Sequence, residues 1–206
     1  MSWSRATVTV RWPELFCAPR RPAAENFLRS ALQMSEVRSV LLDEHAGTAR
    51  VDLRPGAVIA ETLRRLATAA KSDAVGQGGP DFGHAALRRM RQPRFHLFRH
   101  GDRVSTWEVL HEQPGRVRLR HDLLRSDPLL PNRIDAALGN IDGVAGAVSR
   151  PLTGTVLIHF DPHSIDSGRL LEILDEALEE PAAEPNALHP SEIRFGMANT
   201  SLALAA

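Results

Sequence analysis

The chain has 206 residues with one cysteine, Cys17, and nine histidines, and these set what metal or redox chemistry is open to it. One cysteine forms no intramolecular disulfide and, alone, no chelate. Near a helix start and beside Arg20–Arg21, Cys17 could serve as a metal or redox thiol. Its plainer role is that of a semi-buried apolar residue after Leu15 and Phe16. In residues 111–121, HEQPGRVRLRH, His111 and His121 flank a Pro-Gly turn, while His159 and His163 end a later strand. Cys17, His111, His121 and His159 are therefore the candidate ligands for a transition metal such as Cu, Zn or Ni. No two of these four lie within five residues of each other in the chain. Arg116, Arg118 and Arg120 alternate with Val117 and Leu119, so one strand face carries all three. That row is a candidate docking surface for an acidic partner, with Glu108 placed to pair with it across the hairpin.

Several function classes fall away. Lys+Arg and Asp+Glu each number 25, so the basic excess of a nucleic-acid binder is missing. RNA-binding sheets stack bases on aromatics, but Arg116, Arg118, Arg120, Thr155, Leu157 and His159 fill the outward positions here. The GQGGP run lacks the Lys-Ser/Thr of a phosphate loop. Ser126 reads as a helix cap and Asp161 as a turn-former, no nucleophile–base pair stands out, and the chain reads as non-enzymatic. No apolar run approaches the roughly 20 residues of a membrane helix, and MSWSRATVTVRW has no secretory apolar core. A cytoplasmic setting is expected.

The elements that must position these residues come in two sets. VRSVLLDEHAGTARVDLRP (37–55) and VAGAVSRPLTGTVLIHFDP (144–162) align without a gap, pairing Val37 with Val144, Gly47 with Gly154 and Pro55 with Pro162. TVTVRW (7–12) matches RVRLRH (116–121) upstream, and the helices VIAETLRRLATAA and GRLLEILDEALEE match downstream. Each copy reads strand, helix, strand, strand, helix. In copy one the first helix buries Phe27, Leu28, Ala31 and Leu32; in copy two it starts near Ser126-Asp127-Pro128 and buries Leu130, Ile134, Ala137 and Leu138.

This pattern predicts an α+β chain of two tandem ferredoxin-like (split βαβ) domains, with antiparallel sheets and helices on one face. The first domain spans 1–70, with 94–100 available as a fourth strand beside the first. A flexible linker with a short helix fills 71–93, and the second domain spans 94–182. Copy two has no strand after its second helix, so 104–112, folding back through Pro114-Gly115, is expected as a permuted edge strand.

With those residues in view, the chain resembles the heavy-metal-associated domains. WEVLHEQPGRVRLRH and DGVAGAVSRPLTGTVLIHFDP are similar to a divergent branch found before the membrane region of bacterial P-type cation ATPases. The tail 183–206, with RFGMANTSLALAA, resembles the approach to the first membrane helices of such pumps. The resemblance implies a cytosolic module, at the inner face of the membrane, that belongs to or works with a membrane cation pump. Ordinary family members carry GMxCxxC after the first strand. Here that loop is HDLLRSDP (121–128) without cysteine, and WPELFCAPRRP (12–22) with Cys17 alone and Arg20 where its partner would stand. The pump's DKTGT motif is absent. The resemblance therefore points to docking or regulation rather than chelation. A weak His/Cys metal-delivery protein and an interaction adaptor unrelated to transport are the alternatives.

Overall fold

A computed structural model describes residues 6–17, 21–71 and 79–179. The chain is α+β, with two sheets whose strand pairs are antiparallel except for one short parallel contact. The first half runs β1 (Thr7–Arg11), α1 (Pro13–Phe16), α2 (Arg21–Gln33), β2 (Val37–Asp43), β3 (Thr48–Leu53) and α3 (Ile59–Lys71). Then come β4 (Asp81–Phe82), α4 (His84–Arg89), β5 (Arg94–His100) and β6 (Arg103–Ser105). The second half runs β7 (Glu108–Gln113), β8 (Arg116–Arg120), α5 (Leu123–Ser126), α6 (Leu130–Gly139), β9 (Val144–Arg150), β10 (Thr155–Phe160) and α7 (Ser167–Glu179).

The matched segments adopt matched structure. β2 and β9, and likewise β3 and β10, cover equivalent positions of the two aligned segments. The strand order is β1-β3-β2 in one sheet and β8-β10-β9 in the other. Alternation explains which faces are buried: Val40, Leu42, Ala49, Val51 and Leu53 meet Phe27, Leu28 and Leu32 of α2 in the first core. Val117, Leu119, Val156 and Ile158 meet Ile134 and Leu138 of α6 and Leu170 and Leu174 of α7 in the second. Each fully buried Val, Leu, Ile or Phe side chain among these contributes roughly 1.5–3 kcal/mol.

Four expectations need correction. β5 does not stand beside the first strand; it pairs with β2, at the opposite side of the sheet, and passes on to β6. Residues 94–105 thus belong to the first sheet, because Phe95, Leu97 and Val104 bury against its core. The edge strand of the second sheet starts at Glu108 rather than 104, and pairs with β8. The stretch expected as linker is packed over 79–93: Ala86 and Met90 are buried, and Arg88 of α4 pairs with Glu179 of α7. Its earlier part, 72–78, lies outside the described residues, as does the tail 183–206. Finally, Ser126 ends α5 instead of capping α6. The next helix begins at Leu130, and Asp127 Oδ1 accepts the Leu129 N–H (2.9 Å) in a turn of its own.

Candidate functional site

Three places carry the chemistry singled out by sequence. The first is the loop after each sheet's leading strand. In both halves it is wound into one helical turn, α1 and α5. Both turns hang from the same backbone bond: Trp12 N–H donates to Gly47 O (3.0 Å), and His121 N–H to Gly154 O (2.9 Å). Gly47 and Gly154 hold φ of 61° and 64°, the left-handed region in which glycine carries no Cβ penalty. A Cβ on Gly47 would lie 2.7 Å from Pro13 Cα, so the turn sits directly on the hairpin. Leu15, Phe16 and Leu124 drive the turns inward and are buried. Apolar side chains thus fill the place where a chelating loop would open to solvent. Cys17 follows α1, and its Sγ–H donates to Glu44 O (3.1 Å).

His111, His121 and His159 do not converge. His121 is buried at the end of β8, its ring 4.9 Å from that of Trp107. Its Nδ1 accepts the Leu123 N–H (3.1 Å), which puts the ring proton on Nε2. Burial, aided by the nearby Arg89 charge, pushes its pKa down to about 3, so the ring is neutral at pH 7. His111 and His159 are exposed and stand opposite Arg118 and Arg116 respectively, on either side of β8. Two strand spacings, roughly 9–10 Å, separate their backbones. Cys17 belongs to the other sheet's loop. Among the described residues no group of three or more His, Cys, Asp and Glu could hold a metal ion. The residues present do not fit the two-thiolate site of ordinary heavy-metal-associated domains.

The arginine row is placed as the alternation requires. Arg116, Arg118 and Arg120 pair across to His159, Leu157 and Thr155, on the face away from Val117 and Leu119. Glu108 meets Arg120 at 3.5 Å and also Arg38 of β2 at 3.4 Å. Arg38 further donates to Val109 O (3.3 Å), fastening the two sheets where β2 bulges.

Sequence reasoning missed three features. Trp107, wholly buried between β6 and β7, anchors the second core while its Nε1 lacks a hydrogen-bond partner among the described residues. Asp175 lies in the apolar stripe of α7, four residues after Leu171, which was its readable signal. Burial raises its pKa to about 6 although Thr106 Oγ1 donates to it (2.8 Å). On the open face of the first sheet, Thr7 and Ser39 both donate to Asp52, and His96 Nε2 lies 3.0 Å from Ser39 Oγ. Burial pushes the His96 pKa down to about 4. The Ser39 proton goes to Asp52 and the hydroxyl is 1% exposed, so this trio is a structural chain rather than a nucleophile and its base.

Residues 98–194 match the family described as heavy metal associated domain 2. Over 97 residues the chain is 32% identical to a zinc-exporting P-type ATPase of Mycobacterium marinum. That alignment covers 46% of this chain and 13% of the relative, so the chain spans a small part of that pump. The family match takes in β6 and all of the second sheet, whereas β1, β2 and β3 precede it. Among the described residues no helix is long and apolar enough to cross a membrane.

Proposed function

We propose that this chain is a non-catalytic, heavy-metal-associated-like module of, or accessory to, a P-type cation-transporting ATPase, built of two tandem ferredoxin-like units. It acts at the cytosolic face of the membrane by docking or regulation. One observation carries the reading: a stretch related to a zinc exporter has an apolar helical turn where its family places paired thiolates. Without a chelate, the remaining chemistry of the second sheet is its open face, where Arg116, Arg118 and Arg120 would meet acidic side chains of the pump.

The test is capture of the cognate pump's cytosolic domains by the wild-type chain and by the triple variant Arg116→Glu, Arg118→Glu, Arg120→Glu. Loss of capture at low salt, with an unchanged circular dichroism spectrum, is expected. Capture that survives the charge reversal, together with stoichiometric zinc or copper binding by calorimetry, would establish metal delivery instead.

A further inference from the structure

The junction between the halves encloses a cleft of about 290 Å³ that meets the docking row only at Arg120. Its walls come from the end of α4, the start of β5 and the end of β8, which bring Arg89, Arg94 and Arg120 together with His96 and His121. Two of these arginines are already matched: Arg94 Nε lies 3.6 Å from Asp43, and Arg120 3.5 Å from Glu108. Glu108 is shared with Arg38, so this carboxylate is neutralised twice over. Arg89 differs. Its guanidinium donates to the neutral amide of Gln92 (2.9 Å), and among the described residues no carboxylate lies within ion-pair distance of it. Burial takes part of this cation's hydration and holds its pKa below the usual arginine value, and the Asp175 carboxylate offsets that only from beyond ion-pair distance.

The neighbouring group is a donor too. His121 lines the same cleft, and because Nδ1 accepts the Leu123 N–H, its proton sits on Nε2, which has no partner among the described residues. A planar guanidinium fork beside a neutral ring N–H suits an acceptor-only ligand with two or more oxygens. Phe95, Phe98 and Leu123 add an apolar part to the wall, and Asp122 lines it as well.

We infer that this cleft binds a small oxyanion, a phosphate or a carboxylate of similar size, with Arg89 as its charge partner and His121 Nε2 as a neutral donor. The site links the sheets, since Arg89 belongs to the first half and His121 to the second. Bound anion therefore tightens the junction. The cleft shares Arg120 with the docking row, but the variant that tests it changes Arg89 alone, so the two readings fail separately.

The experiment follows the histidine ring and arginine Nε resonances of the full chain during titration with inorganic phosphate at constant ionic strength and pH 7, with citrate as the carboxylate arm. Saturable shifts at His121 and Arg89 are expected, with affinity at least about tenfold weaker in Arg89→Gln and unchanged in Arg125→Gln. Saturation by phosphate alone or by citrate alone identifies which oxyanion the cleft takes. Shifts that grow linearly, match those caused by chloride, or persist in a folded Arg89→Gln variant would overturn the inference. Should that variant unfold, the wild-type map decides: saturable shifts confined to the cleft support the site, and shifts spread over surface arginines refute it.

Discussion

Two strand–helix–hairpin–helix units with the same internal order acquire their extra strand at opposite edges. The first sheet adds β5 beside β2, and the second adds β7 beside β8. The connection lengths and turn chemistry explain the difference. β7 reaches β8 through Pro114-Gly115, with Gly115 at φ 77°, so the two strands must be antiparallel neighbours. β5 arrives only after β4 and α4, and its Phe95 and Leu97 bury beside Val40 and Leu42. Identical three-strand units therefore leave both edges open, and the surrounding chain decides which one is closed. The cores differ in the same way. The first is anchored by an edge-on contact of Phe16 and Phe27, 5.1 Å between centroids, from the unit itself. The second is anchored by Trp107, which enters from the lead-in to its added strand.

That asymmetry can be tested by substitution. Trp107→Ala should have the largest effect, about 3–5 kcal/mol, because an entire buried indole is lost from the second core. Urea unfolding followed at second-half resonances measures it; a loss below about 1 kcal/mol would mean that the added strand does not anchor that core. Next come the paired glycines. Gly47→Ala should cost about 2–4 kcal/mol, from left-handed strain and a clash with Pro13 backbone. Gly154→Ala should cost about 1–2 kcal/mol, since its close neighbours are His121 O at 3.1 Å and the movable Arg125 side chain. Thermal melts of the two variants compare them directly, and equal losses would show that the two turns are seated alike.

The smallest effect is read as a slope. His121 folds with a pKa near 3, well below the ordinary 6.5, because burial opposes its charged form. The unfolded chain takes up that proton first, so stability present above pH 6.5 is lost as pH falls toward 3. His96 in the first sheet acts likewise down to about 4. Asp175 acts in the other direction: its raised pKa gives stability that is full below 3.8 and is lost as pH rises through about 6. Between pH 6.5 and 4 the two histidines outweigh the one carboxyl, and the protein should lose stability on acidification. His121→Phe should make the slope shallower by up to about 1.4 kcal/mol per pH unit. An unchanged slope in urea titrations at several pH values would show that His121 is not held neutral by the fold.

Much of this architecture was legible because it is periodic. Val156, Ile158 and Phe160 announced a strand face by alternation, and the Gly47–Gly154 match announced equivalent hairpins. The arginine row on β8 followed from the same alternation. What escaped was non-local. The stretch 79–93 is Gly- and Arg-rich at its ends, yet Ala86 and Met90 bury in the first core while α7 packs against the same helix. The helix start at Ser126 failed because Leu123 and Leu124 already form a turn, which consumes Ser126 before a cap is needed.

The sequence by itself determined the two sets of strands and helices, the turns at Gly47, Gly115 and Gly154, and the absence of a second thiolate beside Cys17. Those depend on local backbone geometry and residue type. Only the tertiary structure decided where residues 94–105 pair, that His121 is buried against Trp107, and that Arg89 forms no ion pair among the described residues. Each of these is settled by surfaces distant in the chain, whose mutual burial no local pattern encodes.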